Sequence, residues 1–137
     1  MLGTLKTCAF LSAILAASAA AAQPCPDLAD AVKVESERYV IAYRTRPDRI
    51  AVGQHFTLDV VVCPRGGSAA PAADLRVDAH MPEHRHGMNY RTTVKPVDAG
   101  RYLAEGFMFH MPGRWEFIFD VRADGRTDRL TRSVTLE

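Results

Sequence analysis

The chain has 137 residues, 17 of them basic and 16 acidic, for a formal net charge of +1 with histidine neutral. That balance leaves no electrostatic footprint for nucleic acid or for an anionic membrane surface. The length suits one domain with a sizeable core and is short for two.

MLGTLKTCAFLSAILAASAAAA, residues 1–22, carries one lysine, an apolar run and a small-residue ending at Ala20-Ala21-Ala22. This is the pattern of a secretory signal peptide cleaved after Ala22. The run is too short and alanine-rich for a stable span, and Cys25 is not preceded by the Leu-small-small triplet of a lipoprotein signal. Cleavage leaves 115 residues, 23–137, and removes Lys6, so the mature domain is formally neutral. The expected location is periplasmic or secreted, with no membrane span after cleavage.

Cys8 leaves with the signal, and Cys25 and Cys63 remain. In an oxidising compartment an even pair most simply forms one disulfide. The competing role, thiolate metal ligands, has against it the absence of a CxxC spacing and the distance in sequence from the other metal-type residues.

PDLADAVKV (26–34) fits either a helical turn or a lead-in, and the two stay open. Beyond it, alternating segments are broken by turn residues every eight to twelve positions, as in an all-β sandwich or barrel. Seven strands are predicted: 38–45, 55–62, 75–81, 89–97, 101–110, 114–122 and 129–136. In the third, Leu75, Val77, Ala79 and Met81 share one phase while Arg76, Asp78 and His80 share the other, so one face is buried and one wet. The fourth is polar and holds Pro96, which suits an edge.

Asp98-Ala99-Gly100-Arg101-Tyr102 has the D-x-G-x-Y form of a tyrosine corner, and Trp115, Phe117, Phe119 and Val121 supply a large inward face. These features predict a seven-stranded immunoglobulin-like β-sandwich.

Strands joined by short loops alternate in direction, so the third and fifth should leave the domain at the same end. Their exits are His80-Met81-Pro82 and His110-Met111-Pro112; Cys63 and Cys25 fall at the opposite pole. Four of the five histidines and all four mature methionines lie within residues 80–111. Imidazole with thioether suits copper, as Cu(I) or Cu(II), and carboxylate-poor surroundings disfavour calcium or magnesium.

Taken singly, these residues have ordinary explanations. Methionine fills core gaps, so Met81, Met108 and Met111 fit packing; Pro82, Pro112, Gly87 and Gly113 fit turns. His80 fits a solvated face, and His55 opens a strand away from the cluster and is given no role. The loop EHRHGM is different. In an extended segment His84, His86 and Met88 point to one side and can close on one ion, whereas packing does not require three such side chains in a charged, Gly-containing loop. The candidate metal ligands are therefore His84, His86 and Met88, completed by Met81, His110 or Met111.

MPEHRHGMN, DAGRY and FHMPGRWEFIFDVR together resemble the YtkA-like domain family of small exported or membrane-anchored bacterial proteins, relatives of the FixH-like domains. The likeness runs from about Tyr39 to the C-terminus, and MP-x-x-x-HGM and MPG-x-W are its most specific parts. It implies an immunoglobulin-like sandwich linked to copper handling or to the maturation of copper-containing respiratory enzymes. Where the family tends to show Met-Pro-x-Met-x-His-x-Met, Met81, His86 and Met88 match and His84 replaces the second methionine, which makes the ligand set harder. The chain is also broadly similar to CopC-type copper sandwiches, but a histidine brace needs an N-terminal His and cleavage here exposes Gln23.

The expected function is thus an exported copper carrier or chaperone, with the copper ion and a periplasmic or membrane cuproprotein recipient as partners. The alternative is a non-metal immunoglobulin-like interaction module that docks on a periplasmic or membrane complex. No Ser/His/Asp pattern or paired acids suggest an enzyme, since Glu83 and Glu105 stand apart in sequence and fit solvated positions.

Overall fold

The computed structural model describes residues 25–66 and 69–137; the expected signal peptide lies outside the described residues. Nine strands run in chain order: β1 Val32–Glu35, β2 Tyr39–Arg46, β3 His55–Pro64, β4 Asp74–Met81, β5 His86–Gly87, β6 Thr93–Asp98, β7 Arg101–Met108, β8 Gly113–Ala123 and β9 Arg126–Leu136. They form two antiparallel sheets, β1-β2-β3-β7-β6 and β5-β4-β8-β9. The immunoglobulin-like sandwich is as expected, and the seven predicted strands correspond to β2, β3, β4, β6, β7, β8 and β9.

The two added strands have local causes. β1 begins inside the stretch left open between a helical turn and a lead-in and ends one residue beyond it, and its four residues pair with Val40–Tyr43 of β2. β5 is a two-residue extension of β4's edge, in which Met81 faces His86 and His80 faces Gly87. The fourth predicted strand begins later than expected, at Thr93, because residues 88–92 cross from one sheet to the other. There the Thr92 hydroxyl donates to the Val77 carbonyl at 2.6 Å.

Period-two alternation builds the core. Leu75, Val77, Ala79 and Met81 of β4 are at most 2% exposed, as are Trp115, Phe117, Phe119 and Val121 of β8. They meet Tyr39, Ile41, Leu58, Val60 and Phe107 of the other sheet. Phe56, Phe107, Phe109 and Phe117 form an aromatic cluster with edge, tilted and stacked contacts, the geometry that ring quadrupoles favour.

One expectation needs correction. The Tyr102 hydroxyl makes no hydrogen bond among the described residues, so no tyrosine corner is tied. The turn before it is instead fixed by the Val62 amide donating to the Gly100 carbonyl at 2.9 Å. A phenol does tie down a loop elsewhere, where Tyr39 donates to the Ala70 carbonyl at 2.8 Å. Glu83 and Glu105 stand at solvated positions as expected, and there they pair with Arg114 and Lys95.

Cys25 and Cys63 form a disulfide, with Cα atoms 5.6 Å apart. Cys63 faces Val40 near the start of β2, at the end of the domain away from the two His-Met-Pro sequences.

Candidate functional site

The first His-Met-Pro ends a strand from inside its ladder. Met81 remains in β4's inward phase, is fully buried, and lies so near Gly113 that a Cβ there would come within 2.9 Å of the Met81 methyl. Of the two roles open to Met81, the structure gives it the core one. His80, in the outward phase, faces Glu116 across the β4–β8 ladder, and its Nε2 lies 3.1 Å from Glu116 Oε1.

Pro82 stops the strand and the chain turns at once. The amides of His84 and Arg85 both donate to the Met81 carbonyl, at 3.2 and 2.9 Å, and Arg85 takes a left-handed φ of 55°. The extended geometry expected across His84, His86 and Met88 is therefore not adopted; only His86-Gly87 is extended. The turn is anchored from outside by Arg114, whose Nε donates to Glu83 Oε1 at 2.6 Å and whose other arm donates to the Ser133 hydroxyl at 3.0 Å. That hydrogen bond holds the Glu83 carboxyl below the usual carboxylate range.

The turn nevertheless brings imidazoles together. The rings of His84 and His86 are 5.7 Å apart, and those of His86 and His110 are 5.2 Å apart. His110 reaches this row because β7 ends at Met108, so the second His-Met-Pro lies in the loop that crosses to β8. The fully buried Trp115 indole lies behind, 6.1 Å from His86 and 5.3 Å from His110 by ring centres. Trp115 itself is stacked on Phe109 at 4.4 Å and donates from Nε1 to the Met111 carbonyl at 3.0 Å. Sequence reasoning read Trp115 as core alone. The MPG-x-W spacing was the signal that it also backs the site.

The polar groups of this row are only partly engaged. His86 Nδ1 lies 3.0 Å from the Gly87 carbonyl; since a carbonyl only accepts, this nitrogen is the N–H donor, which in the neutral ring leaves the lone pair on Nε2. A backbone carbonyl behind a ligating imidazole is the usual way such a ring is oriented. His110 Nδ1 is buried and has no hydrogen-bond partner, a state that costs free energy unless something binds there. His84 is exposed. Met88 and Met111 are half-buried and pack against the core edge.

Among the described residues, no three His, Cys, Asp or Glu side chains are gathered into a metal-holding group. The residues that converge are imidazoles in a row, with half-buried thioethers close to them in the chain at Met88 and Met111. Cys25 and Cys63 are spent on their disulfide.

His55 is placed differently from expectation. It opens β3 opposite Met108, at the same pole as the cluster, and its ring packs edge-on against Tyr90 at 5.0 Å. A strand that begins beside the end of its antiparallel neighbour must start at that neighbour's exit, and the sequence did not reveal that β3 and β7 are neighbours.

Searches of curated proteins and of solved structures returned no match. A family model described as YtkA-like matches residues 32–120, a stretch that begins with β1, ends within β8 and contains both His-Met-Pro sequences. The chain belongs to the YtkA-like family.

Proposed function

We propose that this protein is an exported copper carrier whose cargo site is built on His86 and His110, with His84 at the solvent side and Met88 or Met111 supplying thioether. The observation that carries this reading is the row of three imidazoles at one pole, in which one ring is oriented by a carbonyl and another has a buried nitrogen without a partner. Imidazole accepts either copper oxidation state and thioether favours Cu(I). Met81, fully buried in the core, is left out of the ligand set.

A carrier must release what it binds. His84 is exposed, and the ion would sit at the rim rather than in an enclosed cage, where a recipient's ligands can reach it. Redox turnover is not part of this proposal; the ion is cargo.

Trp115 is the only tryptophan of the chain, so its emission reports on the site directly. Copper added to the mature domain should quench that emission to an end point at one equivalent, and His86→Ala/His110→Ala should abolish the saturable change. Quenching that is linear, without an end point, and equal in both proteins would refute the site.

A further inference from the structure

The edges of the two sheets are protected to different degrees. An edge strand presents unpaired amides and carbonyls that another strand can join. β1 has only four residues, and β6 holds Pro96, which removes a donor. β4 is covered along its open side. There the Met81 carbonyl accepts from the amides of His84 and Arg85, the Ala79 amide donates to the Asp78 carboxylate at 2.8 Å, and the Val77 carbonyl accepts from the Thr92 hydroxyl.

β9 has no such cover. It runs for eleven residues, Arg126–Leu136, in unbroken register with β8 and without proline or glycine. The Val77 and Met81 carbonyls turn away from β8, which fixes the phase of the alternating ladder. Phe119 therefore bonds across to Leu130, and Arg129, Thr131 and Ser133 aim their amides and carbonyls at the free side. Among the described residues no strand pairs with that side of β9.

Charged side chains keep such an edge from joining an arbitrary strand, and β9 carries Arg126, Asp128, Arg129 and Arg132. Their order is self-complementary. Arg129 is held by both oxygens of Asp120, and Asp128 accepts from Arg38 through Oδ2. Arg132 has no ion-pair partner among the described residues. It shares its phase with Asp128, Leu130 and Val134, and Asp128 is the one acid of β9. Two copies of β9 laid antiparallel therefore satisfy Arg132 in a single register, in which it faces Asp128 of the second copy and the two-fold repeats the pair. Leu130 then lies opposite Leu130 at the axis, Arg129 opposite Thr131, Thr127 opposite Ser133 and Arg126 opposite Val134. No like charges stand directly opposite each other.

We propose that two copies of this chain associate edge to edge through antiparallel β9 strands, with Arg132 of each facing Asp128 of the other. The two four-stranded sheets become one sheet of eight. The paired stretch, 126–134, stops short of Leu136, which faces Gly113, and the two-fold sends the two histidine rows to opposite ends. The association is thus separate from the copper site.

Sedimentation equilibrium of the metal-free mature domain over a concentration series tests the pairing. A reversible equilibrium between monomer and dimer is expected, with no larger species, because a two-fold contact closes on itself. Thr131→Pro removes an outward amide without touching the β8 ladder and should leave a monomer. Arg132→Asp sets acids opposite each other and should weaken the dimer about tenfold. Oxidative cross-linking reads the register: Thr127→Cys/Ser133→Cys should give a covalent dimer and Ser133→Cys alone should not. Within one chain these two positions are roughly 20 Å apart along the strand, too far to bridge. Thermal unfolding of each variant is recorded first. Thr131→Pro and Arg132→Asp act on different groups, so misfolding of one leaves the other to decide. A wild type that stays monomeric, a dimer unchanged in either folded variant, or cross-linking of Ser133→Cys equal to that of the double variant overturns the proposal.

Discussion

His80-Met81-Pro82 and His110-Met111-Pro112 are the same tripeptide with opposite fates. In the first, histidine and methionine are still within the β4 ladder. Strand alternation sends Met81 wholly into the core and His80 out to Glu116. In the second, the ladder has ended at Met108, and the tripeptide bridges the two sheets. His110 turns to His86 with a buried nitrogen unpartnered, and Met111 is only half-buried. The chemistry of a motif is thus set by where the hydrogen-bonded ladder stops relative to it. One copy is architecture, and the other is the one on which the proposed copper site draws.

The difference can be broken most severely at the methionines. Met81→Ala should cost about 2–5 kcal/mol of folding stability, the usual penalty for truncating a fully buried methionine. Met111→Ala should cost clearly less, because part of its side chain is already in solvent. Chemical denaturation of the two variants makes the comparison, and equal losses would mean that both tripeptides are core.

The histidines separate in the other direction. His110→Leu removes a buried, unsatisfied nitrogen, so the metal-free domain should gain about 1 kcal/mol while losing copper affinity, a trade expected where a binding group is held at a cost in stability. His80→Ala should change stability by no more than about 0.5 kcal/mol, since its pair with Glu116 is partly exposed, and should leave copper binding intact. Denaturation midpoints and copper titrations on the same samples read both effects.

Acid separates site from scaffold. Burial alone would raise the Asp59 carboxyl, but hydrogen bonds from Arg46 and Arg44 outweigh it and hold it below its ordinary value. A depressed folded-state value means the stability this group contributes is fully present above the unfolded carboxylate range, and is lost as pH falls through the lower, folded value. Copper competes with protons for imidazole nitrogen. Titrations on acidification should therefore show metal affinity falling before the fold weakens.

Much of this arrangement was legible in the sequence. Period-two alternation in 75–81 and 114–122 identifies the inward residues of β4 and β8 because each has one buried face. The shared pole of the two tripeptides follows from alternating strand direction. The local path of the loop was not legible. Left-handed backbone is ordinarily announced by Gly, Asn or Asp, and here Arg85 adopts it, so the turn after Pro82 carried no signal and His84 was placed in an extended frame. Neither was the position of His55, which depends on β3 lying beside β7, a long-range pairing that local pattern does not encode. The His80–Glu116 pair required the β4–β8 register, likewise invisible without the fold.

The most direct measurement is an anaerobic competition for Cu(I) between the mature domain and a chromogenic chelator of known affinity. Wild type, His80→Ala and His86→Ala/His110→Ala are run in parallel, and the series is repeated with Cu(II). The account predicts that wild type and His80→Ala each withhold one equivalent in at least one oxidation state, and that the double variant withholds none. Failure of the wild type to compete for either ion, or a double variant that competes as well as wild type, would contradict it.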